Sequence, residues 1–213
     1  MAQHHATSST PVAYPASVIN PCFCAPHPVD LEIFRTDDEY IVADVNRNNI
    51  VFRVQGDLFK LHDGVRLHDA AGDPVVTLRK KIMTAHSLWQ VFRGKSIDSK
   101  DLLFSARKSS MLQVKTKLHV FLASNTAEDV CDFEVKESWS HDSCAIYAGN
   151  SSTIVAEMHK KSSKSVKFMV KVHPNMDYAF VVAIILILDV MNTSSDGSFE
   201  AISAASKILG VIG

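Results

Sequence analysis

The sequence predicts a mainly β domain, an antiparallel closed barrel of about twelve strands enclosing one C-terminal hydrophobic α-helix. Two observations carry this. Apolar and polar residues alternate with period 2 across most of the chain up to about residue 173, the signature of half-buried strands. The segment Met176 to Met191 is then apolar on every side, so as a helix it must be surrounded by protein or by lipid. Its uncharged run between Asp177 and Asp189 is 11 residues. That is about 16 Å of helix against a hydrocarbon core of roughly 30 Å, so the segment is predicted to be a buried core helix and not a membrane span. One helix buried on all faces needs a sheet closed around it, and closure also removes exposed sheet edges.

The elements follow in order. Residues 1–28 are rich in Ala, Ser, Pro and His without period, and are expected to form a flexible arm. The barrel domain is expected over 29–192. Tyr40–Val45 and Ile50–Val54 flank Asn46-Arg47-Asn48-Asn49, a hairpin in which Ile50, Phe52 and Val54 share a face. Val65–His68 and Val75–Arg79 flank a second turn, Ala71-Gly72-Asp73-Pro74. The strongest alternations are Val114–Leu122 and Val166–His173, each with an apolar and a largely basic face; Val130–Val135, Ser143–Ala148 and Thr153–His159 lie between them. No helical segment interrupts the strands, which disfavours a parallel βαβ sheet. Residues 193–213 read as a polar linker and a short tail, helical if Phe199, Ile202, Leu209 and Ile212 form one apolar face.

Composition sets further bounds. Of the 213 residues 46% are hydrophobic and 21% charged, enough apolar content for a sizeable core. A net charge of −1 argues against bulk attraction to nucleic acid, leaving local basic patches open. The first residues lack the basic and continuous apolar regions of a signal peptide, so a cytoplasmic or nuclear location is expected. In a reducing compartment Cys131 and Cys144 read as small core residues, and the sequons at Asn150 and Asn192 carry no meaning.

Six strings occur in order along the chain: Thr77-Leu78-Arg79-Lys80-Lys81, Trp89-Gln90-Val91-Phe92-Arg93-Gly94, Asp101-Leu102-Leu103-Phe104, Lys108-Ser109-Ser110-Met111, Tyr147-Ala148-Gly149 and Asn175-Met176-Asp177-Tyr178-Ala179-Phe180. With the strands-then-helix order they resemble the plant LURP-one-related family, within the tubby-like and phospholipid scramblase-like fold group, over about residues 24–192. The resemblance implies a twelve-stranded barrel threaded by the C-terminal helix, no established enzymatic activity, and an association with pathogen defence. Kinship with tubby implies phosphoinositide binding at a membrane surface, a fold-level analogy that transfers no individual residue.

The candidate site for anionic phospholipid head groups is Arg79, Lys80 and Lys81 with Arg107 and Lys108, because clustered cations attract an anionic lipid surface. A solvated face is the plain alternative. Lys160, Lys161, Lys164 and Lys167 form a second basic cluster. Cys22 and Cys24 are S-acylation candidates, since an acyl chain plus a basic patch makes a stable two-signal anchor peripheral to the plasma membrane. No cofactor and no metal site are expected: His62 and His68 lack further ligands, and the EF-hand-like run Asn192–Phe199 has Ser203 where Glu is needed. No GxSxG, placeable Cys/His pair or Gly-rich phosphate cradle appears, and the carboxylate run Asp37-Asp38-Glu39 reads as a solvated turn, so no catalytic residue is assigned. Two alternatives remain, a small-ligand carrier or enzyme using the barrel mouth, and a scramblase-like membrane protein.

Overall fold

A computed structural model of the chain describes residues 17–36, 39–55, 64–81, 88–109, 117–137, 142–161 and 166–192. Twelve strands follow one another: β1 (Val29–Arg35), β2 (Tyr40–Asp44), β3 (Asn49–Gln55), β4 (Val65–Asp69), β5 (Pro74–Lys81), β6 (Leu88–Arg93), β7 (Leu102–Lys108), β8 (Lys117–Leu122), β9 (Phe133–Glu137), β10 (Ser143–Ala148), β11 (Ile154–Lys160) and β12 (Val166–Val172). Each pairs antiparallel with the next, and β1 pairs with β12 to close the ring. The helix α1 occupies residues 178–192. The predicted barrel is therefore the observed one.

Alternation sorts the side chains. Leu31 and Ile33, Phe52 and Val54, and Leu118 and Val120 point inward and are fully buried. Register slips by one residue in the pairs of β1 with β12, β2 with β3, β4 with β5, β6 with β7, and β10 with β11. Such bulges add the local bend and twist that closure requires. The β4–β5 turn is fixed by Asp69, whose Oδ1 accepts the N–H groups of Ala71 (3.0 Å) and Asp73 (2.9 Å), while Gly72 takes φ +91°.

Every residue of α1 from Ala179 to Met191 is buried. Phe180 sits between two strand aromatics, with ring centroids 4.8 Å from Phe133 and 4.9 Å from Phe104. Removing a side chain such as Ile184 or Leu186 from water contributes roughly 1.5–3 kcal/mol, so the interior of the ring is held by this one element. No described helix is long and apolar enough to cross a membrane.

The start of the domain differs from expectation. Residues 18–25 are not a free arm: Ile19 is buried, and Phe23 packs edge-on against Phe52 and Tyr178, each at 5.4 Å. Asp177 is the reason. Its Oδ1 caps α1 by accepting the Phe180 N–H at 3.1 Å, and its Oδ2 accepts the N–H groups of Val18, Ile19 and Asn20 at 3.2, 2.7 and 3.1 Å. One carboxylate thus joins the helix start to an approach segment 157 or more residues away in sequence. Burial pushes the Asp177 carboxyl up from its ordinary value, and the four N–H donors oppose that push. Residues 1–16 of the predicted arm and the 193–213 tail lie outside the described residues.

Replacing Asp177 by Ala leaves four N–H groups of the cap and clamp without their acceptor, and should cost on the order of 3–5 kcal/mol in denaturant unfolding. Asp177→Asn keeps one acceptor oxygen and should cost less; equal stability of wild type and Asp177→Ala would contradict the clamp.

Candidate anion-binding surface

Alternating strand direction sorts the connections to two ends. The odd-numbered strands finish, and the even-numbered ones begin, at the end where α1 reaches residue 192. This end, the rim, carries more described cations than the other, where Arg47, Arg93, Lys95, Lys100 and Lys171 lie. Arg79, Lys80 and Lys81 close β5, Arg107 and Lys108 close β7, Arg66 and Lys117 stand near the starts of β4 and β8, and Lys160 finishes β11 with Lys161 following it.

All five predicted site residues therefore meet at one end. β6 separates their strands, with Arg79 opposite Gln90 and Gln90 opposite Ser105, so the set spans about 10 Å across three strands. Alternation turns Arg79, Lys81 and Arg107 outward. Lys80 follows the inward parity of Leu78 and pairs with the buried Trp89 at the lip.

The five are not equivalent. Arg107 is already engaged: its guanidinium lies 2.7 Å from Glu128 and 4.5 Å over the ring of Phe121. Arg79 and Lys81 are exposed, Lys80 is half-buried, and none of the three meets a carboxylate among the described residues. Arg66, exposed beside them, is a member that spacing along the sequence did not pick out.

Other rim cations are neutralised from within. Glu134, buried on the outer face of β9, meets Lys136 at 2.8 Å, Lys117 at 3.2 Å and His119 at 3.7 Å. Burial acts to raise its carboxyl, but the hydrogen bonds from Lys136 and Lys117 prevail and hold it below the ordinary carboxylate range. Burial also lowers His119 from its ordinary value, against the pull of Glu134. Lys167, a member of the predicted second cluster, is bound to Asp189 Oδ2 at 2.6 Å, and the same oxygen accepts the Tyr40 hydroxyl at 2.6 Å. Arg53 pairs with Glu39 at 3.2 Å. Lys160 and Lys161 remain exposed, while Lys164 lies outside the described residues.

The opposite end is mixed but acidic on balance: Asp30, Asp44, Asp69, Asp73, Asp98, Asp101 and Asp132 lie there with Arg47, Arg93, Lys95, Lys100 and Lys171, and Arg47–Asp44 and Lys100–Asp98 are ion pairs. The exposed apolar side chains of Val45, Ile97 and Val130 accompany them. Cys22 and Cys24 also sit at this end, on the turn Pro21–Phe23 beside Asp177. Burial first and then the Asp177 charge push both thiols up, away from thiolate. The expectation that an acyl chain here would combine with the basic patch on one surface does not hold, because α1, about 22 Å long, lies between them. Cys131 and Cys144 are buried free thiols, and burial pushes Cys144 up to about 12.

Of the other candidates, Asn192 donates to Glu137 Oε1 at 2.6 Å, and the rest of the EF-hand-like run lies outside the described residues, as does His62. No group of three or more metal-ligating side chains occurs among the described residues. A half-open recess near the rim, enclosing about 10 Å³, is lined by Met158, Lys160, Phe168, Ile185, Leu188, Asp189 and Asn192.

The LURP-one-related family profile matches residues 31–189. The chain belongs to this family. It is 49% identical over 186 residues to the LURP-one-related 15 protein of Arabidopsis thaliana, covering 82% of this chain and 85% of that one. To the protein LURP1 of the same plant it is 42% identical over 185 residues, covering 82% and 89%. An X-ray structure of an Arabidopsis thaliana protein matches with a TM-score of 0.68 at 44% identity, covering 83% of this chain and 99% of that chain. The barrel and its helix are thus the architecture of a solved family relative.

The Glu134 cluster gives this surface an acid limit. Its folded carboxyl titrates below the ordinary value of 4.5, so its stabilisation is fully present above that value and lost as pH falls through the depressed one. Wild type should lose stability below pH 4.5 more steeply than Glu134→Gln in pH-dependent thermal melts. Parallel profiles would contradict the cluster.

Proposed function

We propose that this LURP-one-related chain is a non-enzymatic binding module whose rim docks on anionic phospholipid head groups, phosphoinositides among them, at a membrane surface. One observation carries the reading: Arg79, Lys80 and Lys81, with Arg66 beside them, stand together without a carboxylate partner among the described residues, while the rim carboxylates Glu39, Glu134 and Asp189 are bound to other cations. Each such cation near an anionic leaflet contributes about 1 kcal/mol, so four support weak, reversible and salt-sensitive docking. The two arginines add fork geometry suited to phosphate oxygens. A place in defence signalling, and a cytoplasmic, plasma-membrane-peripheral or nuclear location, belong to the same proposal and rest on the family resemblance.

The alternatives fit less well. A small-ligand carrier or enzyme needs a cavity of roughly 300–1,000 Å³, whereas α1 is buried along its length and the rim recess encloses only about 10 Å³. Scrambling would require α1 to leave the barrel and expose its apolar wall to water.

Flotation with phosphatidylcholine vesicles, with and without phosphatidylserine and phosphatidylinositol bisphosphate, tests the proposal. The wild-type chain should float with the anionic vesicles and be released by salt. The Arg79→Ala/Lys80→Ala/Lys81→Ala variant should lose about 100-fold in affinity. Binding that ignores salt, vesicle charge and these substitutions would sink it.

A further inference from the structure

The rim cations that meet no carboxylate among the described residues fall into two groups. Arg66, Arg79, Lys80 and Lys81 lie on β4 and β5, and Lys160 and Lys161 at the end of β11. In the ring of twelve strands β5 and β11 are six apart, diametrically opposite. The arcs between the groups are occupied by cations already held by Glu128, Glu134, Asp189 and Glu39. Asp142, exposed beside the β11 group, reduces that group's net charge without cancelling it. At about 4.8 Å per strand, a tilted twelve-stranded ring is about 20–25 Å across.

That spacing selects the shape of the ligand. One inositol phosphate head group cannot reach both groups. The centre of the rim between them is held by the Asp189 carboxylate and by Glu137, bound to Asn192, which disfavours an anion seated there. A plane of head groups satisfies both groups at once, and only when the barrel axis stands close to the plane's normal. Two weak contacts joined on one rigid body then reinforce each other, because the second forms at high effective concentration.

Building on the docking reading above, we infer that the chain stands upright on an anionic lipid plane through these two opposed cation groups. The acidic end, with Val45, Ile97, Val130, Cys22 and Cys24, then faces away from the membrane. Acylation of those cysteines would tether the opposite end of the barrel and compete with this pose, not reinforce it.

Equilibrium binding of the full chain to phosphatidylcholine vesicles bearing phosphatidylserine and phosphatidylinositol bisphosphate tests the inference. Lys160→Ala/Lys161→Ala should lose roughly 30-fold in affinity, although both residues are remote from β5. Lys160→Arg/Lys161→Arg should keep wild-type affinity, and matching thermal melts would show that both variants fold. A Lys160→Ala/Lys161→Ala chain that binds like wild type while the β5 variant loses binding would overturn the upright pose and leave one-sided docking. Free inositol hexakisphosphate binding as tightly as the vesicles would also overturn the pose. No binding by the wild-type chain would remove the docking reading itself, and the pose with it.

Discussion

A helix that is apolar on every face can be kept from water here only by a sheet that closes around it, and the rest of the molecule follows from that constraint. Ala179 to Met191 are buried without a break. The twelve strands supply an inward face at every second residue, and the register slips let the ring close. Polar side chains fix the helix at both ends. Asp177 ties its start to the approach segment, and Asp189 ties its last turn to Tyr40 and Lys167. Between these two carboxylates the contacts are apolar and carry little directional information, so the polar ends set the depth at which the helix sits.

Filling the barrel also decides where binding can occur. Among the described residues the interior is occupied by α1, which leaves the ends and the outer wall as the surfaces open to a partner. The ends differ in charge, and most acidic side chains that reach the rim are spent on neighbouring cations there. Glu134 alone engages Lys117, Lys136 and His119. What remains for a partner is the smaller set of cations that no described carboxylate satisfies. The net charge of −1 gives no sign of this division.

Much of the architecture was legible in the sequence because it rests on periodicity. Period-2 runs mark strands, an all-round apolar run marks a buried helix, and 11 uncharged residues are too few for a bilayer. Whether Arg79–Lys81 meets Arg107–Lys108 was left open by the sequence; it is decided by β5 and β7 running the same way with one strand between them. The missing parts depend on partners distant in the chain. Nothing near Ile19 announces that Asp177 will accept its N–H, and the commitment of Lys167 to Asp189, 22 residues on, appears only when the helix is threaded through the ring. Arg107 likewise looked available until the β8–β9 connection brought Glu128 against it.

The central claim, a rigid helix-filled barrel that binds through its rim, is tested most directly by amide hydrogen exchange on the chain alone and on anionic vesicles. The α1 amides should exchange most slowly in both states, with vesicle-dependent protection confined to the rim ends of β4, β5 and β11. Protection at the acidic end, or faster exchange of α1 on vesicles as the barrel opened, would contradict the account.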